Sequence, residues 1–206
     1  MVTEPIRDKN QTAALMNFYK DRGQLRNYAL IIMGLYTALR ISDLLSLAWD
    51  DVYDFKHHRV RDMIHLSEKK TDKKKSLALN NEVISALSLL FSLIHVSPDE
   101  AIFKSRKSGK AIGRVQAYRI IREAADALEF TNRVSCHSLR KTFGYHAWKI
   151  GVSPVVIMEI YNHSSLDVTR RYLGVTQDDK NEVYLKLDLQ PTDTLKYIHN
   201  NNVTNS

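Results

Sequence analysis

Between Ser135 and Gly174 the chain reads SCHSLRKTFGYHAWKIGVSPVVIMEIYNHSSLDVTRRYLG, which holds an HxxR pair (His137, Arg140), a later histidine, His163, and a tyrosine, Tyr172. These types cover a reaction. A guanidinium grips an oxyanion with a planar fork of donors, an imidazole moves protons near neutral pH, and a phenol serves as a nucleophile once its proton is taken. Leu139, Phe143, Ala147 and Ile150 recur at helical spacing on another face of the same segment, which predicts a helix that packs by one face and carries ligands on the other. Ser164 and Asp167 have capping-box spacing. They predict a short following helix with Leu166 and Leu173 turned inward and Tyr172 near its rim. Taken singly, each feature also fits a solvated helix surface.

Other chemistries find no support in the pattern. There is no HExxH, no CxxC and no carboxylate cluster beside the histidines of the kind a two-metal nuclease uses, so no metal is expected. The adjacent His57 and His58 fall in the basic run KHHRVR and read as solvated. Cys136 abuts His137, but sequence neighbours on a helix or strand point apart. It reads as a small packed residue.

The wording HSLR, NHSS and TRRYLG, in that order and at this separation, resembles the tyrosine recombinase (phage integrase) family. The likeness continues upstream. TALRISDLLSLAW is similar to the family's TGLRxSE, which puts Arg40 at a matching position with Asp43 as its acidic companion. KTDKKKSLAL aligns without a gap on a hairpin turn of the type KGxKxRxVPL, which implies Lys70. The site that the resemblance implies is Arg40, Lys70, His137, Arg140, His163 and Tyr172, within a likeness running from about residue 25 to residue 186. Two departures stand out: Asn162 precedes the second histidine where glycine is usual, and Asp43 replaces glutamate. Asparagine tolerates a left-handed backbone.

The resemblance implies attack by the Tyr172 phenol on a DNA phosphodiester. Arg40 and Arg140 would present donors to the nonbridging oxygens. His137 and His163 would add hydrogen bonds, one of them as general base, and Lys70 would protonate the leaving 5′ oxygen. The 3′ phosphotyrosyl product stores the bond energy for religation, so neither cofactor nor ATP is expected. The expected function is site-specific recombination by integration, excision or inversion. A type IB topoisomerase and a catalytically silent DNA-binding accessory protein are the alternatives.

Charge agrees with a DNA partner. Lys plus Arg number 30 against 23 Asp plus Glu, a net charge of +7. Three lysines against five acids follow Tyr172, so the excess lies before it. It gathers in KHHRVR, KKTDKKK and KSRKSGK, which read as backbone-contacting turns that make binding salt-dependent. Lys69, Lys73, Lys74, Arg106 and Lys107 are the candidate contacts there. Arg114, Gln116, Arg119 and Arg122 lie on a predicted helix that could enter a major groove.

The elements that must hold these residues are mainly helical. Helices are expected over residues 8–21, 24–38, 42–47, 81–95, 114–128, 138–150, 153–161 and 165–173. DDVYDF, VRDMIHL and KSLALN predict a small antiparallel three-stranded sheet, giving a mainly α, α+β chain with the tyrosine recombinase catalytic-domain fold as the resemblance implies. Residues 1–175 are expected to form the DNA breaking and rejoining domain. Residues 176–206 form a C-terminal helix and tail, whose Val183, Leu185 and Leu187 could dock on a neighbour or fold back. The family commonly exchanges such a helix between subunits, so a homotetramer on DNA is expected. The short length resembles fimbrial invertases without a separate N-terminal domain, or an integrase fragment. A single cysteine excludes a disulfide framework, and no apolar run suits a signal peptide or a membrane span. A cytoplasmic protein without membrane contact is expected.

Overall fold

YALIIMGLY is too apolar for a surface helix, and in the computed structural model it is the central one. Residues 3–67 and 74–188 are described. Helix α2 (Leu25–Tyr36) is buried from Asn27 to Leu35 and packs against α1 (Lys9–Lys20), α5 (Asn81–Phe91) and α7 (Cys136–Lys149). Each fully buried Leu or Ile there contributes about 1.5–3 kcal/mol. Two single-turn helices follow, α3 (Ile41–Leu44) and α4 (Trp49–Val52), and the second is held by its side chains. Trp49 meets Phe91 edge-on at 5.2 Å, while Tyr53 stacks on Phe91 at 3.8 Å.

The three expected β segments form two ribbons instead of one sheet. Strand β1 (Tyr53–Asp54) pairs with β2 (Arg59–Val60), and β3 (Met63–Ser67) pairs with β4 (Lys74–Ala78), both antiparallel. The run VRDMIHL divides at Arg61 and Asp62. The Arg61 N–H donates back to Val52 at 2.8 Å, whereas the Asp62 carbonyl accepts from Leu79 at 2.8 Å. The chain thus changes partner at an aspartate, a poor strand residue.

Helix α6 (Arg114–Ala127) buries Ala117, Ile120, Ile121, Ala124 and Ala125 and leaves Arg114, Gln116 and Arg119 outside. Helix α7 departs from expectation. It starts two residues earlier, where the Ser135 N–H donates to Ser138 Oγ at 3.1 Å, and Ser138, Leu139, Arg140, Lys141 and Thr142 are all buried while His137 stays exposed. The predicted apolar stripe is buried only at Leu139, and Ile150 is 76% exposed. Hydrogen bonds help these polar residues tolerate the interior: Thr142 Oγ1, for example, donates to the Ser138 carbonyl at 2.8 Å.

Helices α8 (Pro154–Tyr161) and α9 (Leu166–Leu173) pack on each other and on α7. Asn162 ends α8 in the left-handed region, at φ 53° and ψ 46°. The cap of α9 is Ser165, which accepts from Val168 N–H, rather than Ser164. Leu166 is 48% exposed, while Leu173 is buried.

A β-carbon on Gly144 would lie 2.2 Å from Tyr161 Oη. Gly144→Ala is therefore expected to lower stability by about 1–3 kcal/mol through overpacking. A urea midpoint equal to wild type would contradict this packing.

The chain divides into two compact units between Gly174 and Val175. The second contains α10 (Gln177–Lys186), capped reciprocally by Thr176 and Asp179. Val183, Leu185 and Leu187 are exposed on it or just after it. Among the described residues no helix is long and apolar enough to cross a membrane.

Candidate active site

The centre of the candidate site is a residue absent from the expected set. Tyr161, the last residue of α8, is fully buried, with its ring 4.4 Å from the Arg140 guanidinium carbon, 4.9 Å from the His163 ring and 5.5 Å from the Tyr172 ring. Its hydroxyl donates to the Arg140 carbonyl. Burial pushes its pKa up, against the opposing pull of Arg140, so it stays a neutral phenol. Its surface assembles Arg140 from α7, His163 from the turn and Tyr172 from α9.

His163 and Tyr172 meet edge to face at 4.6 Å. The left-handed Asn162 makes this possible by turning the chain between α8 and α9. Nδ1 of His163 lies 3.1 Å from Thr169 Oγ1 on α9, which fixes the ring's orientation against the helix that bears Tyr172.

Arg140 is only 2% exposed. Its Nη1 donates to the Ala38 carbonyl and its Nη2 to the Tyr161 carbonyl, the second at 2.7 Å. Ala38 sits at φ +54°, a strained value for a residue with a β-carbon. The strain aims its carbonyl at Arg140 and delivers Arg40 two residues later. Nη1 of Arg40 then lies 4.0 Å from the buried Asp43 carboxylate.

His137 is exposed one turn before Arg140. The surrounding protein, then Arg140 and Lys141, hold its pKa below the ordinary histidine value. His146 is also held low, first by burial. Both folded histidines thus bind a proton less readily than in the unfolded chain, so stability is expected to fall as pH drops below about 6.5, the unfolded value. Urea midpoints from pH 7.5 to 5.5 test this. A flat profile, or one unaffected by His146→Gln, would contradict it. Burial raises the Cys136 thiol to about 11, which keeps it protonated and inert at neutral pH.

Lys69, Lys70 and Lys73 lie outside the described residues. Lys74 is exposed at the start of β4, and Lys75, which the motif does not single out, donates to the Ile160 carbonyl at 2.6 Å and ties the ribbon to α8. Of the other candidate DNA contacts, Arg106, Lys107, Arg114, Gln116 and Arg119 are exposed. Arg122 differs, because it is engaged by Asp126 one turn on. Arg114, Tyr118 and His137 share a hollow of 390 Å³ between α6 and the start of α7. Lys141, which no motif marks, is also buried, and its Nζ lies 5.4 Å from the Tyr172 ring. Among the described residues, no three His, Cys, Asp or Glu side chains are grouped to hold a metal.

This arrangement of helices recurs in solved proteins. The crystal structure of XerA recombinase superposes with a TM-score of 0.74 at 21% identity, over 92% of this chain and 65% of that one. XerH site-specific recombinase, bound to palindromic difH substrate in a post-cleavage complex, gives 0.70 at 16% identity, over 90% of this chain and 54% of that one. The fold is that of a tyrosine recombinase catalytic domain. The phage integrase family model matches residues 7–179, and the chain belongs to that family. A probable integrase/recombinase, YoeC of Bacillus subtilis, is 34% identical over 89% of this chain and 96% of its own length. Tyrosine recombinase XerD of Mycobacterium tuberculosis is 29% identical over 78% of this chain, which spans only 51% of that longer relative.

Proposed function

We propose that the chain is a site-specific DNA recombinase that cuts and rejoins double-stranded DNA through a 3′ phosphotyrosyl bond at Tyr172. The observation that carries this reading is the gathering of Arg140, His163 and Tyr172 on the buried Tyr161 ring, none farther than 5.5 Å from it. The Tyr172 oxygen attacks phosphorus, its proton passes to a base, and the bond from phosphorus to the 5′ oxygen breaks. His163, already edge-on to Tyr172, is the better placed histidine to take that proton. Lys70 protonates the departing oxygen. Arg40 and Arg140 present guanidinium donors to the nonbridging oxygens. A second strand's 5′ hydroxyl then reverses the step. The exposed cations of α6 and of the KSRKSGK turn supply backbone contacts, whose loss of counterions makes affinity fall with salt. Residues 1–175 carry the chemistry in this reading, and the apolar residues of α10 are exchanged between neighbours in a tetramer on DNA.

The test is a supercoiled plasmid carrying the genomic DNA that flanks the gene, incubated with the protein in EDTA without ATP and then denatured. Protein attached to a 3′ end, together with recombinant circles, is expected. Relaxed topoisomers without recombinants would turn the reading to a topoisomerase. Salt-sensitive binding with no adduct would turn it to an accessory protein.

A further inference from the structure

The five residues Thr3–Arg7, ahead of α1, lie across α7 and reach the end of the helix that carries Tyr172. Lys141 Nζ donates to the Thr3 carbonyl at 2.6 Å, Ile6 N–H donates to Thr142 Oγ1 at 2.9 Å, and His146 Nε2 donates to the Ile6 carbonyl at 3.0 Å. The last tie spans the chain: Arg7 Nη2 donates to the Gly174 carbonyl at 3.0 Å. Gly174 adopts φ +63°, and a β-carbon there would meet Arg7 Nη2 and two Pro5 carbons at 3.3 Å each. The strap is therefore seated against the carboxyl end of α9.

That end needs help. Helix α9 has eight residues and Tyr172 is its penultimate one, where the last carbonyls lack helical partners and the turn frays. A guanidinium at a helix carboxyl end opposes the negative pole of its dipole, and its hydrogen bond is charge-assisted. This turn carries the Tyr172 ring, which meets His163 at 4.6 Å. The Arg7 side chain is itself set by the Tyr145 ring, 5.6 Å from its guanidinium carbon.

We propose that Arg7 is a positioning residue for the nucleophile: it clamps the last turn of α9 and holds Tyr172 in the geometry of attack, touching neither DNA nor the reacting atoms. The inference rests on Tyr172 being that nucleophile. Wild type, Arg7→Met, which keeps an unbranched side chain without the guanidinium, and Arg7→Lys are compared on a nicked duplex made from the flanking genomic DNA. The readouts are the single-turnover rate of adduct formation, the DNA affinity by anisotropy, and amide hydrogen exchange of the free protein. Arg7→Met is expected to slow adduct formation by about 10²-fold, the cost of a misplaced reacting group, with Kd held within about twofold. Arg7→Lys is expected to recover most of the rate. Amides in the last turn of α9 are expected to exchange about tenfold faster in Arg7→Met, with those of α2 unchanged. A wild-type rate in Arg7→Met, or a rate loss matched by lost affinity, overturns the proposal. Should wild type form no adduct, the nucleophile assignment falls, and exchange alone judges the clamp: unchanged α9 exchange rejects it, faster exchange upholds it.

Discussion

Tyr172→Phe is expected to abolish covalent attachment to DNA while leaving folding and DNA affinity intact. The substitution removes one oxygen and keeps the ring that meets His163 edge-on at 4.6 Å and Tyr161 at 5.5 Å. The local packing is therefore unchanged. The neighbouring phenol does not substitute, because Tyr161 is fully buried, its hydroxyl is committed to the Arg140 carbonyl, and burial raises its pKa. Denaturing gels after incubation with the nicked duplex should show no adduct, alongside a wild-type melting curve and binding isotherm. An adduct that persists in the phenylalanine variant would remove Tyr172 from the mechanism.

Arg140→Lys should have two separable effects of comparable importance. One guanidinium bonds both the Ala38 and the Tyr161 carbonyls, and a lysine amine lacks the rigid fork that spans them. One carbonyl then stays buried without a donor, at about 1–3 kcal/mol, which for a chain of this size lowers the melting temperature by several degrees. Adduct formation should fall by about 10²–10³-fold from the loss of a preorganised donor at the phosphorane. Measuring the rate well below the melting range isolates the second effect from the first. A lysine variant as stable and as fast as wild type would refute both roles.

The chemistry was more legible in the sequence than its scaffolding. The HxxR pair, NHSS and TRRYLG mark Arg140, His163 and Tyr172 by residue type and order, and the structure brings these three together. Tyr161 bears no such mark. It sits in the apolar run VVIMEIY, and only the close approach at Gly144 shows why a large aromatic is needed there. The buried face of α7 departs from its apolar stripe for a related reason. Periodicity counts apolar residues, whereas Ser138, Arg140 and Thr142 are buried by virtue of hydrogen bonds that span up to 136 residues. The β run VRDMIHL looked continuous because strand propensity is local, while its division depends on two different partners. Arg7 was invisible for the same reason: its bond to Gly174 spans 167 residues.

The double tether of Arg140 also bears on how this kind of sequence decays. A chain that drifts away from catalysis is still selected to fold, and a guanidinium between Ala38 and Tyr161 contributes to folding by itself. Tyr172 is under no such demand, since phenylalanine fills its place. On the proposed reading Arg140 should outlive the activity in a degenerate copy, so the hydroxyl at position 172, and not the arginine, is the character that separates an active enzyme from a folded relic.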